Sequence, residues 1–336
     1  MTQLLGLVLI SFILTSILLI PFIDLLFHLR RKYKRIDSSS QSTDTPIHNT
    51  LQKGKDIETP IGGGILIILI VVILSFSVMF FGGFRLTSNI FALTLAMLSF
   101  GFIGLLDDVK KIFASFNGKY SGLRARWIFL MQVVFAFLIS LVLYFVVGLN
   151  NIFIPPIGNL VLSFWYIPFA AFVIIAFANA YNISDGLDGL SSGLLTICLF
   201  AFLVLAHNAF NENLSVFVGV WIGALIAYLY FNVYPARVYL GDAGAFGFGA
   251  TLAVAGLLTG KTIGLAVIGG VYIIIVASSL LQILSKKMLH RKILPVAPIH
   301  IYFKYIGWEE PKIVFRFWLA GAIFAILGLW LSLSFK

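Results

Sequence analysis

The chain has 336 residues, of which 60% are hydrophobic and 11% are charged. Soluble domains carry about 25% charged residues, so the composition excludes a soluble globular protein and a disordered one. A single cysteine, Cys198, excludes a disulfide framework and a cysteine-based metal cluster. The apolar runs are continuous rather than alternating, which disfavours an outer-membrane barrel. The sequence therefore predicts an all-α integral membrane protein.

A helix that crosses a membrane needs about 20 mostly apolar residues, and the sequence contains ten such segments. We place them at 3–27, 61–82, 88–106, 127–148, 161–180, 189–207, 214–231, 243–260, 262–285 and 314–334. The first carries its positive charges after the apolar run, the wrong flank for a signal peptide, so we expect it to be retained. The uncharged loop 149–160 is expected to form a small extended element. We expect residues 1–336 to form a single polytopic membrane domain.

The orientation is predicted from the basic residues, which are enriched in cytoplasmic loops. With both termini outside, 20 of the 23 lysines and arginines fall in or next to cytoplasmic segments, and the reverse orientation would place those 20 outside. We therefore expect the N-terminus and the C-terminus outside. The cytoplasmic loops that form the active face are then 28–60, 107–126, 181–189, 232–242 and 285–313.

Five acidic residues lie at the cytoplasmic ends of the predicted spans: Asp107, Asp108, Asp185, Asp188 and Asp242. A carboxylate near hydrocarbon is unfavourable unless it is paired, solvated or bound to metal, so such residues mark functional sites. Helix capping or pairing with the basic loops would explain one such residue. Five of them on one face favour a functional site.

The pair Asp107–Asp108 ends the third span. Adjacent side chains on a helix diverge by about 100°, so we expect two separate roles rather than two identical ligands of one metal. Lys111 follows Asp107 by four residues and shares its helix face. A simple ion pair and a contact to phosphate are both open for this lysine.

A polar, glycine-rich stretch, 179–190, is bounded by apolar spans on both sides. Its candidate site residues are Asn182, Asp185, Asp188, Gly189 and Leu190. Glycine lets the backbone approach a ligand closely, and Asn and Asp supply oxygen ligands. A tight turn is the alternative, but a turn does not need this many polar residues beyond its corner.

The sequence Gly241-Asp242-Ala-Gly244 opens the eighth span. A helix N-terminus suits a phosphate, and Asp242 there suits a bridging magnesium ion, although helix packing by small residues is the alternative.

His300 lies in the cationic loop 285–313 and is expected to bind an anionic substrate, although basic residues of that loop also suit a membrane surface. Together these features predict phosphoryl transfer between a diphosphate and a lipid.

These motifs resemble the polyprenyl-phosphate N-acetylhexosamine-1-phosphate transferase superfamily, from Thr59 to Trp318. The shared patterns are Asp107-Asp108-x-x-Lys111, Asn182-x-x-Asp185-Gly-x-Asp188-Gly189-Leu190 and Gly241-Asp242-x-Gly244. Three further stretches resemble the phospho-N-acetylmuramoyl-pentapeptide transferase (MraY, translocase I) family. They are 231–242, Ala297-Pro-Ile-His300 with Gly307-Trp308-x-Glu310-Pro311, and Thr59-Pro60 with Gly63-Gly64.

The resemblance implies ten spans and Mg²⁺-dependent transfer of phospho-MurNAc-pentapeptide from UDP-MurNAc-pentapeptide to undecaprenyl phosphate, which gives lipid I and UMP in peptidoglycan synthesis. It also implies a multi-pass protein of the bacterial inner membrane, an active site facing the cytoplasm and a homodimer. No nucleic-acid partner is expected. The residues leave open whether transfer is direct or passes through an aspartyl intermediate.

The resemblance also implies roles for individual residues. Asp242 would bind magnesium, Asp107 would be the base for the lipid phosphate, and Asp108 would support the site. His300, Asn182, Asp188 and Asn232 would line it, Tyr239 would stack on uracil, Gln282 would contact the nucleobase, and Lys111 would meet phosphate.

The chain departs from the family pattern at two places in the fifth cytoplasmic loop. A run of three histidines is here His300-Ile301-Tyr302, and Lys304 stands where the family has Glu. The identity of the sugar-nucleotide donor is therefore left open by the sequence.

A GlcNAc-1-phosphate transferase for teichoic acid or O-antigen is one alternative function, which the 297–311 stretch disfavours. A transporter or non-catalytic scaffold is another, but a transporter would place ionisable residues near mid-membrane.

Overall fold

The structure, a computed structural model, describes residues 2–32, 59–83, 86–116, 122–209 and 211–335. Within these ranges, ten helices are long and apolar enough to cross a membrane. Such helices suit lipid because each one satisfies its own backbone hydrogen bonds. The prediction of an all-α membrane protein with ten spanning helices is confirmed, and the side on which the termini lie stays a prediction.

The helices in chain order are α1 (Thr2–Lys32), α2 (Gly63–Phe81), α3 (Ser88–Phe116), α4 (Ala125–Leu141), α5 (Tyr166–Ser184), α6 (Leu190–Asn208), α7 (Glu212–Asn232), α8 (Gly241–Leu258), α9 (Thr262–Ile268), α10 (Gly270–Met288), α11 (Ile299–Tyr305) and α12 (Glu310–Ser334). A π-helical turn, Val142–Val146, follows α4, and a 3-10 turn, Ser163–Trp165, precedes α5. An antiparallel hairpin pairs β1 (Asn151–Ile154) with β2 (Gly158–Val161), with Asn151 opposite Val161. The expected extended element at 149–160 is therefore present.

The ninth predicted span differs from the structure. The segment 262–285 is not one helix, because the chain breaks at Gly269 between α9 and α10, and α9 packs against α12. A Cβ atom at Gly269 would lie 2.5 Å from the Phe177 ring. Hydropathy cannot detect this break because both sides of it are apolar, whereas adjacent glycines permit a sharp change of direction.

The centre of the bundle is formed by α7 and α8, whose residues are mostly buried. Here α3 packs along α8, and α1 packs along α7. A Cβ atom at Gly64 would lie 2.4 Å from the Cα of Gly244, and one at Gly104 would lie 2.0 Å from the backbone oxygen of Asp242. Small residues allow such close approach of helices in membranes. The first turn of α8 is therefore held against α2 and α3.

The segment 59–61, which precedes α2, pairs with the segment that precedes α8. Ile61 and Tyr239 form a parallel bridge, and the Tyr239 N–H donates to the Pro60 carbonyl at 2.8 Å. The Thr59 hydroxyl donates to the Ala236 carbonyl at 3.1 Å. These bonds fix the chain between α7 and α8, where the predicted site residues begin.

Candidate active site

A cluster of charged side chains joins the end of α3 to the start of α8. The Lys111 ammonium lies 2.7 Å from Asp107 Oδ2 and also forms an ion pair with Asp242. The ion pair that the sequence offered as one of two alternatives for Lys111 is therefore present, and its contact to phosphate stays a prediction. The Asp242 side chain is 21% exposed and that of Lys111 is 27% exposed, so the cluster is open to solvent. Lys111 thus links two carboxylates that lie far apart in the sequence.

Two further groups complete the surroundings of these carboxylates. Asn182, near the end of α5, donates from Nδ2 to Asp242 Oδ1 at 3.0 Å. The Leu123 N–H donates to Asp107 Oδ1, and a Cβ atom at Gly122 would lie 2.6 Å from the same oxygen. The chain just before α4 therefore lies directly against Asp107. Three helices and one connecting segment supply this polar cluster.

Asp108 has a different environment from Asp107, as the helix geometry predicts. Its Oδ2 accepts a hydrogen bond from the Ala243 N–H at 3.1 Å, and the residue is 8% exposed. Gly241 has φ +82°, and a Cβ atom there would lie 2.7 Å from the same Asp108 oxygen. Asp108 therefore holds the first turn of α8 against α3, and its supporting role in a reaction stays a prediction.

The turn 185–189 is bound to the segment that follows α7. Asp188 Oδ2 accepts from the Ala236 N–H at 3.1 Å. The Gly189 N–H donates to Asn232 Oδ1 at 3.2 Å, and Asn232 Nδ2 donates to the Val238 carbonyl at 3.1 Å. Asp188 and Asn232 thus tie two candidate segments into one surface.

Other members of the same stretch face the bundle. Asp185 accepts a hydrogen bond from the Ser191 hydroxyl in the first turn of α6. Leu190 is fully buried in the apolar core. Gly189 has φ +77°, a left-handed conformation that favours glycine. The turn of α5 into α6 that the sequence offered as an alternative is thus present, and it carries the polar side chains on its corner.

His300 lies on α11 and is 1% exposed. It packs directly on the 185–189 turn, since a Cβ atom at Gly186 would lie 2.6 Å from His300 Nε2. Ile301 points into the apolar core at 1% exposure, whereas Tyr302 is partly exposed. Of the three positions 300–302, the structure therefore brings His300 to the turn.

Gln282 and Tyr239 lie at the edges of this region. Gln282 Oε1 accepts from the Ile293 and Leu294 N–H groups at 3.2 and 3.0 Å, and its Nε2 donates to the Leu294 carbonyl at 2.7 Å. Its amide thereby fixes the loop between α10 and α11. Tyr239 is partly exposed and anchored by its backbone. Their contacts to a nucleobase stay predictions.

Two residues of α12 that sequence reasoning did not assign to the site also hold the 185–189 turn. Glu310 Oε1 accepts from the Asp188 N–H at 2.8 Å, and Trp318 Nε1 donates to the Gly189 carbonyl at 3.2 Å. Both residues lie in the stretch that resembles the transferase family, and Glu310 belongs to its Gly307-Trp308-x-Glu310-Pro311 motif. Their contacts to a turn more than 120 residues away leave no local pattern in the sequence.

Comparisons with known proteins show the family of the chain. The model of glycosyl transferase family 4 matches residues 90–260. The phospho-N-acetylmuramoyl-pentapeptide-transferase of Borrelia garinii subsp. bavariensis is 32% identical over 322 residues, which cover 90% of this chain and 88% of that protein. The proteins of the same name from Bacillus velezensis and Bacillus subtilis are each 31% identical over 275 residues, covering 82% of this chain and 84% of theirs. The chain therefore belongs to glycosyl transferase family 4 and to the family of phospho-N-acetylmuramoyl-pentapeptide-transferases.

Proposed function

We propose that the chain transfers phospho-MurNAc-pentapeptide from UDP-MurNAc-pentapeptide to undecaprenyl phosphate, giving lipid I and UMP. The observation that carries the proposal is the cluster in which Lys111 links Asp107 to Asp242 at the ends of two spanning helices. Both reactants bear phosphate, and one of them is a lipid, so the reaction requires a charged site at a membrane boundary. The names of the relatives support the same reaction.

In the proposed reaction, an oxygen of undecaprenyl phosphate forms a bond to the sugar-bearing phosphorus of the donor. The bond from that phosphorus to the bridging oxygen of UMP breaks at the same centre. Asp107 would accept the proton of the lipid phosphate and orient the attacking oxygen. Lys111 would contact phosphate through its ammonium, which lies between the two carboxylates that would handle the lipid phosphate and the metal. Asn182 would hold Asp242 in place through their hydrogen bond.

The residues present fit a magnesium site in which the protein and the substrate phosphates both supply ligands. Among the described residues, no three carboxylate, histidine or cysteine side chains form a protein-only metal site. Magnesium, however, is commonly bound through one or two carboxylates together with substrate phosphates. Asp242 would hold the ion, since its carboxylate is partly exposed beside Asp107. When bound, the metal supplies positive charge that stabilises the transferring phosphoryl group.

We further propose that the site faces the cytoplasm of a bacterium and that the protein lies in the inner membrane. The distribution of basic residues supports this orientation. His300 and the 185–189 turn would bind the donor on that face, with Tyr239 and Gln282 contacting its uracil. A homodimer is part of the same proposal and rests on the family resemblance.

The test is an assay of UMP release by the purified protein with Mg²⁺ and undecaprenyl phosphate. We expect turnover of UDP-MurNAc-pentapeptide, no turnover of UDP-GlcNAc, and loss of turnover when EDTA removes the metal. Turnover of UDP-GlcNAc alone would reject the proposal in favour of a GlcNAc-1-phosphate transferase. Turnover of neither donor would favour a non-catalytic role.

A further inference from the structure

The feature that lies beyond this reaction scheme is the buried carboxylate of Glu310 in the first turn of α12. The residue is 7% exposed, and both of its oxygens are bonded. Oε1 accepts the Asp188 N–H at 2.8 Å, and Oε2 lies 2.7 Å from the Lys304 ammonium. A buried carboxylate is stable only when it is paired and hydrogen-bonded. Lys304 supplies the charge that this arrangement requires.

Lys304 lies in the last turn of α11, one short loop before Glu310. The positive charge at a helix C-terminus is favourable, and the ion pair closes the connection between α11 and α12. His300 lies on the same short helix and packs on Gly186. The ion pair therefore joins two helices that both contact the turn, α11 through His300 at Gly186 and α12 through Glu310 at Asp188.

The 185–189 turn that is held in this way carries Asp188, which also contacts the segment after α7. Asp188 offers its N–H to Glu310 and its Oδ2 to the Ala236 N–H. A hydrogen bond to an ionised acceptor is stronger than a neutral one, so the N–H contact depends on the charge of Glu310. Lys304, one of the positions at which the chain departs from the family pattern, pairs with that charge.

We propose that Lys304 and Glu310 form a positioning pair that sets the 185–189 turn and His300 for donor binding. Its effect on turnover rests on the proposed function, whereas its effect on the turn does not. Removal of Lys304 leaves a buried charge without its partner, which loosens the turn. The double variant, Lys304→Met with Glu310→Gln, removes both charges. Its Gln side chain keeps an oxygen acceptor for the Asp188 N–H, and no buried charge is left without a partner.

The experiment compares Lys304→Met, Glu310→Gln and the double variant by hydrogen–deuterium exchange of peptides covering 182–192, without substrate. We expect exchange to rise about tenfold in Lys304→Met, because a lost charge-assisted bond of about 1.4 kcal/mol changes an opening equilibrium tenfold. The double variant should exchange as slowly as Glu310→Gln. Lys312→Met, which removes an exposed lysine in the first turn of α12, is the matched control and should leave exchange unchanged.

Kinetics with the donor that the protein turns over give the second readout. Lys304→Met should raise KM for the donor and lower kcat by about tenfold or more, since small misplacements of site groups are costly, and the double variant should recover most of the loss. Unchanged exchange in Lys304→Met, or losses that simply add in the double variant, would overturn the proposal. If Lys304→Met does not fold, Lys304→Arg must keep the turn protected and the double variant must fold. The hydrogen–deuterium exchange measurement needs no substrate. It therefore tests the positioning pair even if the protein does not catalyse the proposed reaction.

Discussion

Asn182 donates a hydrogen bond from Nδ2 to Asp242 Oδ1 at 3.0 Å, and it thereby connects the end of α5 to the start of α8. The other Asp242 oxygen pairs with Lys111. The Asp242 carboxylate is thus oriented by a neutral donor on one side and a cation on the other. Such fixed orientation is what a group needs if it is to hold a metal shared with substrate.

Asp242→Asn should lower the rate of UMP release by at least about 100-fold, because a neutral amide lacks the negative charge with which Asp242 would hold the magnesium ion. The side chain keeps its shape, so the melting temperature in detergent should stay within a few degrees of the parent protein. Asp24→Asn, at an exposed position of α1, is the control and should keep full activity. Retained activity in Asp242→Asn would remove this residue from the proposed metal site.

Gly104→Ala should destabilise the protein, because the new Cβ atom would lie 2.0 Å from the Asp242 backbone oxygen. Overpacking against backbone cannot be relieved by a rotamer change, so we expect the melting temperature to fall by at least about 5 °C. Gly6→Ala is the control, since nothing lies within 4 Å of a Cβ atom at that helical position. Equal melting temperatures for both variants would contradict the close packing of α3 on α8.

Gln282→Leu should release the loop between α10 and α11 by removing three hydrogen bonds to the backbone of 293–294. Trypsin should then cleave at the exposed Arg291 and Lys292 roughly tenfold faster, because loss of buried hydrogen bonds raises the population of open states. Ser279→Ala, one turn earlier on α10, should cleave at the parent rate. Parent-like cleavage of Gln282→Leu would show that other contacts hold this loop.

Ile301→His should lower the melting temperature, because it buries an imidazole in the apolar core at a position that is 1% exposed. A buried polar group without a partner costs about 1–3 kcal/mol. Tyr302→His places the same side chain at a partly exposed position and should be tolerated. If Ile301→His instead raised donor turnover at unchanged stability, position 301 would face the site rather than the core.

Part of the site could be predicted from local spacing alone. The pairing of Lys111 with Asp107 follows from their separation by four residues, and the different partners of Asp107 and Asp108 follow from the rotation of a helix between neighbours. Gly244 shows where spacing was not enough. The pattern allowed a phosphate-binding or a packing role, and the structure places this glycine in close contact with Gly64.

Contacts between distant segments could not be predicted in this way. The Glu310 and Trp318 side chains hold the turn at Asp188 and Gly189, and nothing in the local pattern of α12 indicates such partners. The break at Gly269 is equally invisible to hydropathy, because apolar residues lie on both sides of it. Each of these features depends on which helices are neighbours.

The sequence by itself determined the class of the protein, its ten spanning helices and the acidic residues at the ends of those helices. It did so because a membrane imposes a minimum apolar length on every span and makes each nearby carboxylate unfavourable without a partner. Only the tertiary structure decided which partners these carboxylates have. Close packing at glycine positions brings α3, α5 and α8 together, and hydrogen bonds between those helices place Asp107, Lys111, Asn182 and Asp242 in one cluster.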